Sequence, residues 1–259
     1  MERSPVGLLA FSGPTSGLGS LGSMVVEQQV RLAGTTPHRS PPRAQLAIFD
    51  LDRTLLPGSS LLPLCRALVA KRLVTRRRLL RAVAQQASFR RRGATDDEAS
   101  RYRDEGLAVV TGLAQATMSS VAGSLGDHLA TLATPAARGL LNRHVGAGHL
   151  CVVLSASPQE LVEAVAFRLG AHVGIGTRAE VHDGRYTGAL DGPFCYGPGK
   201  LTRLRESLGA VDLTEAWAYA DSGSDLPLLS ACGHPVAVNP DKALLQAATS
   251  QGWPVVSLS

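Results

Sequence analysis

No apolar run in this 259-residue chain approaches the roughly 20 residues a helix needs to span a bilayer. The longest early run, "VGLLAF", is too short for the core of a secretion signal, which points to a cytoplasmic protein. Paired cysteines are also missing. Cys65, Cys151, Cys195 and Cys232 are scattered without a C-x-x-C spacing, and Cys151 lies inside an apolar run, so they read as reduced, buried small hydrophobes and not as a disulfide framework. The third absence is local. From Pro57 to Thr95 there is no acidic residue, while Arg66, Lys71, Arg72, Arg76, Arg77, Arg78, Arg81, Arg90, Arg91 and Arg92 accumulate, interleaved with Leu73, Leu79, Leu80 and Val83. That pattern predicts a basic amphipathic helix pair. Its arginines could snorkel over a small helical domain, make weak contact with an anionic membrane surface, or recruit a polyanion. Phe89 is the only aromatic residue interleaved there, which speaks against nucleic acid.

What is present is an ordinary globular composition, 44% hydrophobic and 18% charged with a formal net charge of +5, enough for one good core and a smaller satellite. Residues 1–44, rich in Gly, Ser, Thr and Pro, lack any sustained period and read as a disordered tail. From Gln45 the pattern changes. "QLAIF", "CVVL", "AWAYA", "PVAV" and "PVVSL" have strand length, and helical spacing lies between the later ones. This is the signature of an α/β fold with a mainly parallel sheet. "SPQE" at Ser157–Glu160 offers a capping box with Pro158 at the first helical position, Asn239-Pro240 opens a second helix, and Leu201, Leu204 and Leu208 stripe a third. Asp183-Gly184 marks a two-residue hairpin turn. Residues 58–147 are helical in pattern almost throughout. They read as an inserted cap domain, dividing the core into 45–57 and 148–259.

"LAIFDLDRTLL" then poses the functional question. Residues i and i+2 of a strand share a face, so Asp50 and Asp52 can project together at the carboxyl end of "LAIF", where open parallel sheets bind ligands. A bare D-x-D could equally be turn chemistry. The other strand ends weigh against that, because "CVVL" ends in Ser155, "AWAYA" ends in Asp221 with Asp225 four residues on, and Lys200 starts the helix between them. Together these supply carboxylates for a hard cation, an ammonium to offset them and a hydroxyl donor. Phosphoryl transfer to a carboxylate needs that set, since Mg²⁺ and a lysine must neutralise the repulsion between phosphate and aspartate. Asp52 is placed to protonate the leaving alkoxide and later to deprotonate water.

"FDLDRTL", "VVLSAS", "GPGK" and "ADSGSD", in this order, resemble the four motifs of the haloacid dehalogenase-like hydrolases, and the insertion after the first motif resembles the phosphoserine phosphatase-like branch. The likeness covers about residues 45–257. It implies a Rossmannoid core and a Mg²⁺-dependent phosphatase acting on a phosphorylated small metabolite or a lipid-like phosphate. Asp50 would be the nucleophile, Asp52 the acid/base, Ser155 with the Ala156 backbone the phosphoryl-oxygen site, and Lys200 the neutralising cation. The metal would sit on the Asp50 side chain, the Asp52 carbonyl and Asp221, with Asp225 behind. Dehalogenases of this superfamily lack the second aspartate, which Asp52 supplies. Arg53 and Ala220 stand where the family usually or often has Gly, and Ser224 where phosphoserine phosphatases often have Asn. Ser59 falls where those enzymes carry the glutamate that binds the substrate ammonium, so phosphoserine is not the first expectation. The alternatives are a genuine phosphoserine phosphatase, or a non-catalytic scaffold working through its basic cap.

Overall fold

The computed structural model describes residues 45–75 and 96–258. The N-terminal tail and most of the arginine-rich helix pair expected above lie outside these residues. Among the described residues no helix is long and apolar enough to cross a membrane.

Six strands form one parallel sheet. Strand β1 (Leu46–Phe49) lies at its centre between β2 (Leu150–Pro158) and β6 (Trp217–Ala220), with β3 (Val173–Thr177) beyond β2, and β7 (His234–Val238) and β8 (Val255–Val256) beyond β6. Both faces of the sheet are buried, which explains why the central strands are continuously apolar. Ala47, Phe49, Cys151 and Val153 enter one hydrophobic cluster, while the alternate residues Leu46, Ile48, Val152 and Leu154 enter the other. The first cluster is closed by α3 (Gln115–Leu132), α4 (Pro135–Gly146) and α5 (Gln159–Leu169), the second by α6 (Pro198–Leu208), α7 (Leu226–Ala231) and α8 (Lys242–Gln251). Helices α1 (Leu61–Ala70) and α2 (Asp96–Val110) precede them, between β1 and β2. All four cysteines are free.

The hairpin forms as expected from β4 (Ala179–His182) and β5 (Arg185–Leu190), with Asp183 and Gly184 both at positive φ. Two expected helix starts do not. Helix α5 begins at Gln159 with Pro158 in the capping position and no side-chain cap, because β2 runs on through Ser157, whose hydroxyl pairs with Ser60 instead. Helix α8 begins at Lys242, capped by Asp241, which accepts from the Leu244 N–H at 2.8 Å. Asn239 instead sits at φ 42°, its side-chain oxygen accepting from Ser257 and Leu258.

Strand β3 escapes sequence reading because its two glycines dilute the strand signal in "VGIGT". Packing requires them. A Cβ on Gly174 would come within 2.7 Å of the Glu163 Cα, and one on Gly176 within 2.7 Å of the Ser157 carbonyl oxygen, so α5 and the segment leading into it lie backbone to backbone on this strand. Gly174→Ala should therefore cost about 1–3 kcal/mol through overpacking, read as a lower urea midpoint with an unchanged slope.

His144 of α4 is buried against the sheet, its ring edge-on to Phe49 and its Nε2 within 2.7 Å of the Tyr219 hydroxyl. Burial first, then the charges of His149 and Arg143, push its pKa down to about 4. Between pH 6.5 and about 4 the unfolded chain thus binds the proton and the folded chain does not, so stability falls as pH falls through that window. The loss from this group is on the order of 3 kcal/mol, and His144→Asn should flatten the pH dependence of the urea midpoint there.

Candidate active site

The carboxyl ends of the central strands converge on one point. Asp50 follows β1, its N–H donating to the Tyr219 carbonyl of β6 at 2.8 Å, so the sheet ladder fixes its backbone. Asp221 follows β6, and Asp225 closes the short 3₁₀ turn Gly223–Asp225. One oxygen from each of these carboxylates lies within 4.8 Å of the others. Lys200, in the first turn of α6, reaches between two of them, with Nζ 2.7 Å from Asp50 Oδ1 and 2.6 Å from Asp225 Oδ1. Gly199 allows this approach, since a Cβ there would lie 2.0 Å from the Phe194 carbonyl oxygen. Asp50, Lys200, Asp221 and Asp225 are all buried.

Charge governs this cluster. Burial raises the Asp50 pKa above the usual carboxylate range against the opposing pull of Lys200. Asp221 is raised by burial and by the Asp50 charge, with Arg53 opposing, and Asp225 by burial, with Lys200 opposing. Burial works against the Lys200 ammonium too, but Asp225 and Asp50 more than offset it and hold it above its normal range. Arg53, 45% exposed, pairs with Asp221 at 3.2 Å. Three buried carboxylates around one buried ammonium leave an excess of negative charge on oxygen ligands, which is a donor set suited to a hard divalent cation.

The third wall comes from β2. Between Leu154 and Pro158 this strand advances four residues while β3 advances two, and the resulting bulge holds Ser155, Ala156 and Ser157 at the sheet's end. Ser155 Oγ accepts from the Ser157 N–H at 3.2 Å. Asp52 is oriented by the Ser60 N–H, 2.8 Å from its Oδ1. Asp50, Asp52, Ser155, Ala156, Lys200, Asp221, Ser224 and Asp225 all line a single cavity of about 430 Å³. Ser59 does not. It stands just before α1 with a buried hydroxyl that has no hydrogen-bond partner among the described residues, and Ser60 makes the contacts to Asp52 and Ser157.

Asp241 and Glu160 are lining carboxylates that were not singled out as site residues by their sequence. Asp241 caps α8 and also accepts from Ser222 and from the Gly223 N–H, tying the Asp221–Asp225 loop to that helix. An aspartate immediately before a helical run was the available signal. Glu160, read as half of a capping box, instead accepts from the Tyr186 hydroxyl at 2.6 Å and faces the cavity. Only the hairpin's position reveals that partner.

An α/β protein with an acidic, lysine-bearing site at the carboxyl ends of a parallel sheet is the class that this geometry defines. The chain belongs to the haloacid dehalogenase-like hydrolase family, whose profile matches residues 47–230. It is 38% identical over 228 residues to a probable phosphatase of Mycobacterium tuberculosis, covering 86% of this chain and 79% of that protein. A solved structure of a protein of unknown function from Bordetella pertussis Tohama I superposes with a TM-score of 0.72 at 27% identity, over 83% of this chain and 99% of that one. A phosphoserine phosphatase solved as a phospho-aspartyl intermediate analogue shares the fold, with a TM-score of 0.55 at 14% identity over 83% and 94% of the two chains.

Because Lys200 partly neutralises two buried carboxylates at once, Lys200→Met should destabilise the metal-free protein by about 3 kcal/mol. Urea unfolding measures this, and a loss near zero would show that the cluster relaxes by taking up protons.

Proposed function

We propose that the protein is a phosphomonoesterase that forms an aspartyl-phosphate on Asp50. The observation carrying this reading is the Lys200 ammonium within 2.7 Å of both Asp50 and Asp225, in a buried carboxylate cluster at the strand ends. The name of the mycobacterial relative supports the phosphatase reaction.

A phosphate dianion is repelled by a bare aspartate, and the Lys200 charge lowers that barrier from the moment of binding. Asp50 Oδ attacks phosphorus, the bond from phosphorus to the ester oxygen breaks, and Asp52 gives its proton to the departing alkoxide, which leaves as the alcohol. The Ser155 hydroxyl and the Ala156 N–H hold the phosphoryl oxygens in line during this transfer. In the second step Asp52 takes a proton from water, the water oxygen attacks phosphorus, and the Asp50 carboxylate is released with inorganic phosphate. Asp50, Asp221 and the Asp52 carbonyl would hold Mg²⁺, with Asp225 supporting Lys200 and the metal's waters. When bound, the ion supplies charge neutralisation on the phosphoryl oxygens. In this reading α1 and α2 act as the cap that covers the leaving group, while α4 of the 58–147 insertion packs on the sheet.

Asp50→Asn should lower p-nitrophenyl phosphate turnover at least about a thousandfold while leaving the circular dichroism spectrum intact, because an amide is a poor nucleophile. Asp52→Asn should lose about 10²–10⁴-fold on an alkyl phosphate, whose alkoxide needs the proton, and less on the p-nitrophenyl ester, whose leaving group departs unprotonated. Equal losses on both esters in kcat/KM, which reports the first transfer alone, would remove Asp52 from the acid role, and near wild-type turnover by Asp50→Asn would remove the aspartyl-phosphate.

A further inference from the structure

The cavity that begins at Asp50 and Lys200 does not end there. Away from the charged cluster its wall is built from Leu64 and Leu68 of α1, Leu107 and Val110 of α2 and Met118 of α3. Leu64 and Leu68 share a helix face at the i, i+4 spacing, as Leu107 and Val110 do at i, i+3, so these pairs present continuous hydrocarbon. Leu64, Leu68 and Met118 are each at most 2% exposed and belong to the hydrophobic cluster on one face of the sheet, so this part of the cavity is a gap within an apolar core. At about 430 Å³ the whole cavity is far larger than a phosphate group needs, and it lies in the size range of pockets that enclose small organic ligands.

Among the described residues the charged groups on this wall are Glu160 and Arg103. The Glu160 carboxylate accepts from the Tyr186 hydroxyl at 2.6 Å, and Arg103 is paired with Asp104 at 2.7 Å. The other lining cations among the described residues, Lys200 and Arg53, stand at the carboxylate end and are paired there. A leaving group with several hydroxyls would thus lose more water against the hydrocarbon than Glu160 and Arg103 can replace, and a second anionic group would meet Glu160 as well as Arg103.

Resting on the phosphatase reading, we infer that the substrate is a phosphomonoester of an apolar alcohol, its phosphate at Asp50 and Lys200 and its hydrocarbon against Leu64, Leu68, Leu107, Val110 and Met118. The substrate is thereby an amphiphile with one charged end. Each methylene transferred from water to this wall should strengthen binding about fourfold until the cavity is full.

The test uses n-alkyl phosphates from ethyl to octyl, kept below their micelle concentrations, with glycerol phosphate as the polar control and Mg²⁺ present. The matching n-alkylphosphonates, which cannot be hydrolysed, are titrated by calorimetry in parallel. A rise in kcat/KM and a fall in phosphonate Kd of about fourfold per methylene over at least three steps, with glycerol phosphate trailing butyl phosphate, is the expected result. Val110→Trp, which adds bulk to the wall, should move the preferred length to shorter chains. Flat Kd values across the series would overturn the inference, as would a chain-length slope that persists unchanged in Val110→Trp or that inorganic phosphate does not displace. Loss of turnover on every ester, p-nitrophenyl phosphate included, would instead overturn the phosphatase reading, and the phosphonate series would still decide the apolar subsite. Dodecyl phosphate carried in phosphatidylcholine vesicles distinguishes the source. Hydrolysis there as well as in solution identifies a bilayer lipid phosphate, and hydrolysis of the dissolved chains alone identifies a free amphiphile.

Discussion

The arrangement depends on one ammonium group held among three buried carboxylates. Lys200 is 3% exposed and bonded to Asp50 and Asp225, while Asp221 stands beside them in an ion pair with the half-exposed Arg53. Such a cluster is expensive to bury, and apolar residues of similar volume would stabilise the fold more. Its raised carboxylate pKa values express that cost as an appetite for positive charge. A site in which three buried carboxylates face one buried ammonium is one that a hard cation can enter with gain.

The surrounding fold keeps these groups from relaxing apart. The ladder between β1 and β6 fixes Asp50 and Asp221 on adjacent strand ends, and the bulge in β2 holds the Ser155–Ser157 backbone beside them. Arg53 shows the local tension. It adopts φ 66°, the left-handed region that a glycine would occupy without strain, which costs of order 1 kcal/mol or more in a non-glycine residue. In that conformation its carbonyl accepts from Asn239 and its side chain reaches Asp221. A charged side chain at this point thus offsets backbone strain with an ion pair at the site itself.

Charge and hydrocarbon are segregated within one cavity. Among the described residues the segments after the strands and the helix starts supply most of its polar groups, and α1, α2 and α3 supply its apolar wall, with Arg103 of α2 the charged exception there. This division follows from the two kinds of element. Parallel strand ends and helix starts present backbone groups and short polar side chains to the same edge, whereas an amphipathic helix laid over that edge must turn its apolar face inward.

The alternating strand and helix pattern, the hairpin at Asp183-Gly184 and the convergence of Asp50, Asp52, Ser155, Lys200, Asp221 and Asp225 were legible in the chain, because each rests on local periodicity or on where a strand ends. Beyond that range the sequence was silent. Glu160 carries the signature of a capping box, and only the hairpin's place in the fold turns it toward Tyr186. Ser59 occupies an informative position by spacing, yet the turn before α1 presents Ser60 to Asp52 and keeps Ser59 out of the cavity wall. Strand β3 is hidden by glycines whose purpose is contact with a helix more than ten residues back along the chain. Local pattern determined which elements form and which carboxylates meet, since neighbours in sequence set backbone geometry. Tertiary structure decided the pairing of Glu160, the register of the β2 bulge and the apolar wall of the cavity, since those depend on contacts between segments that no local period encodes.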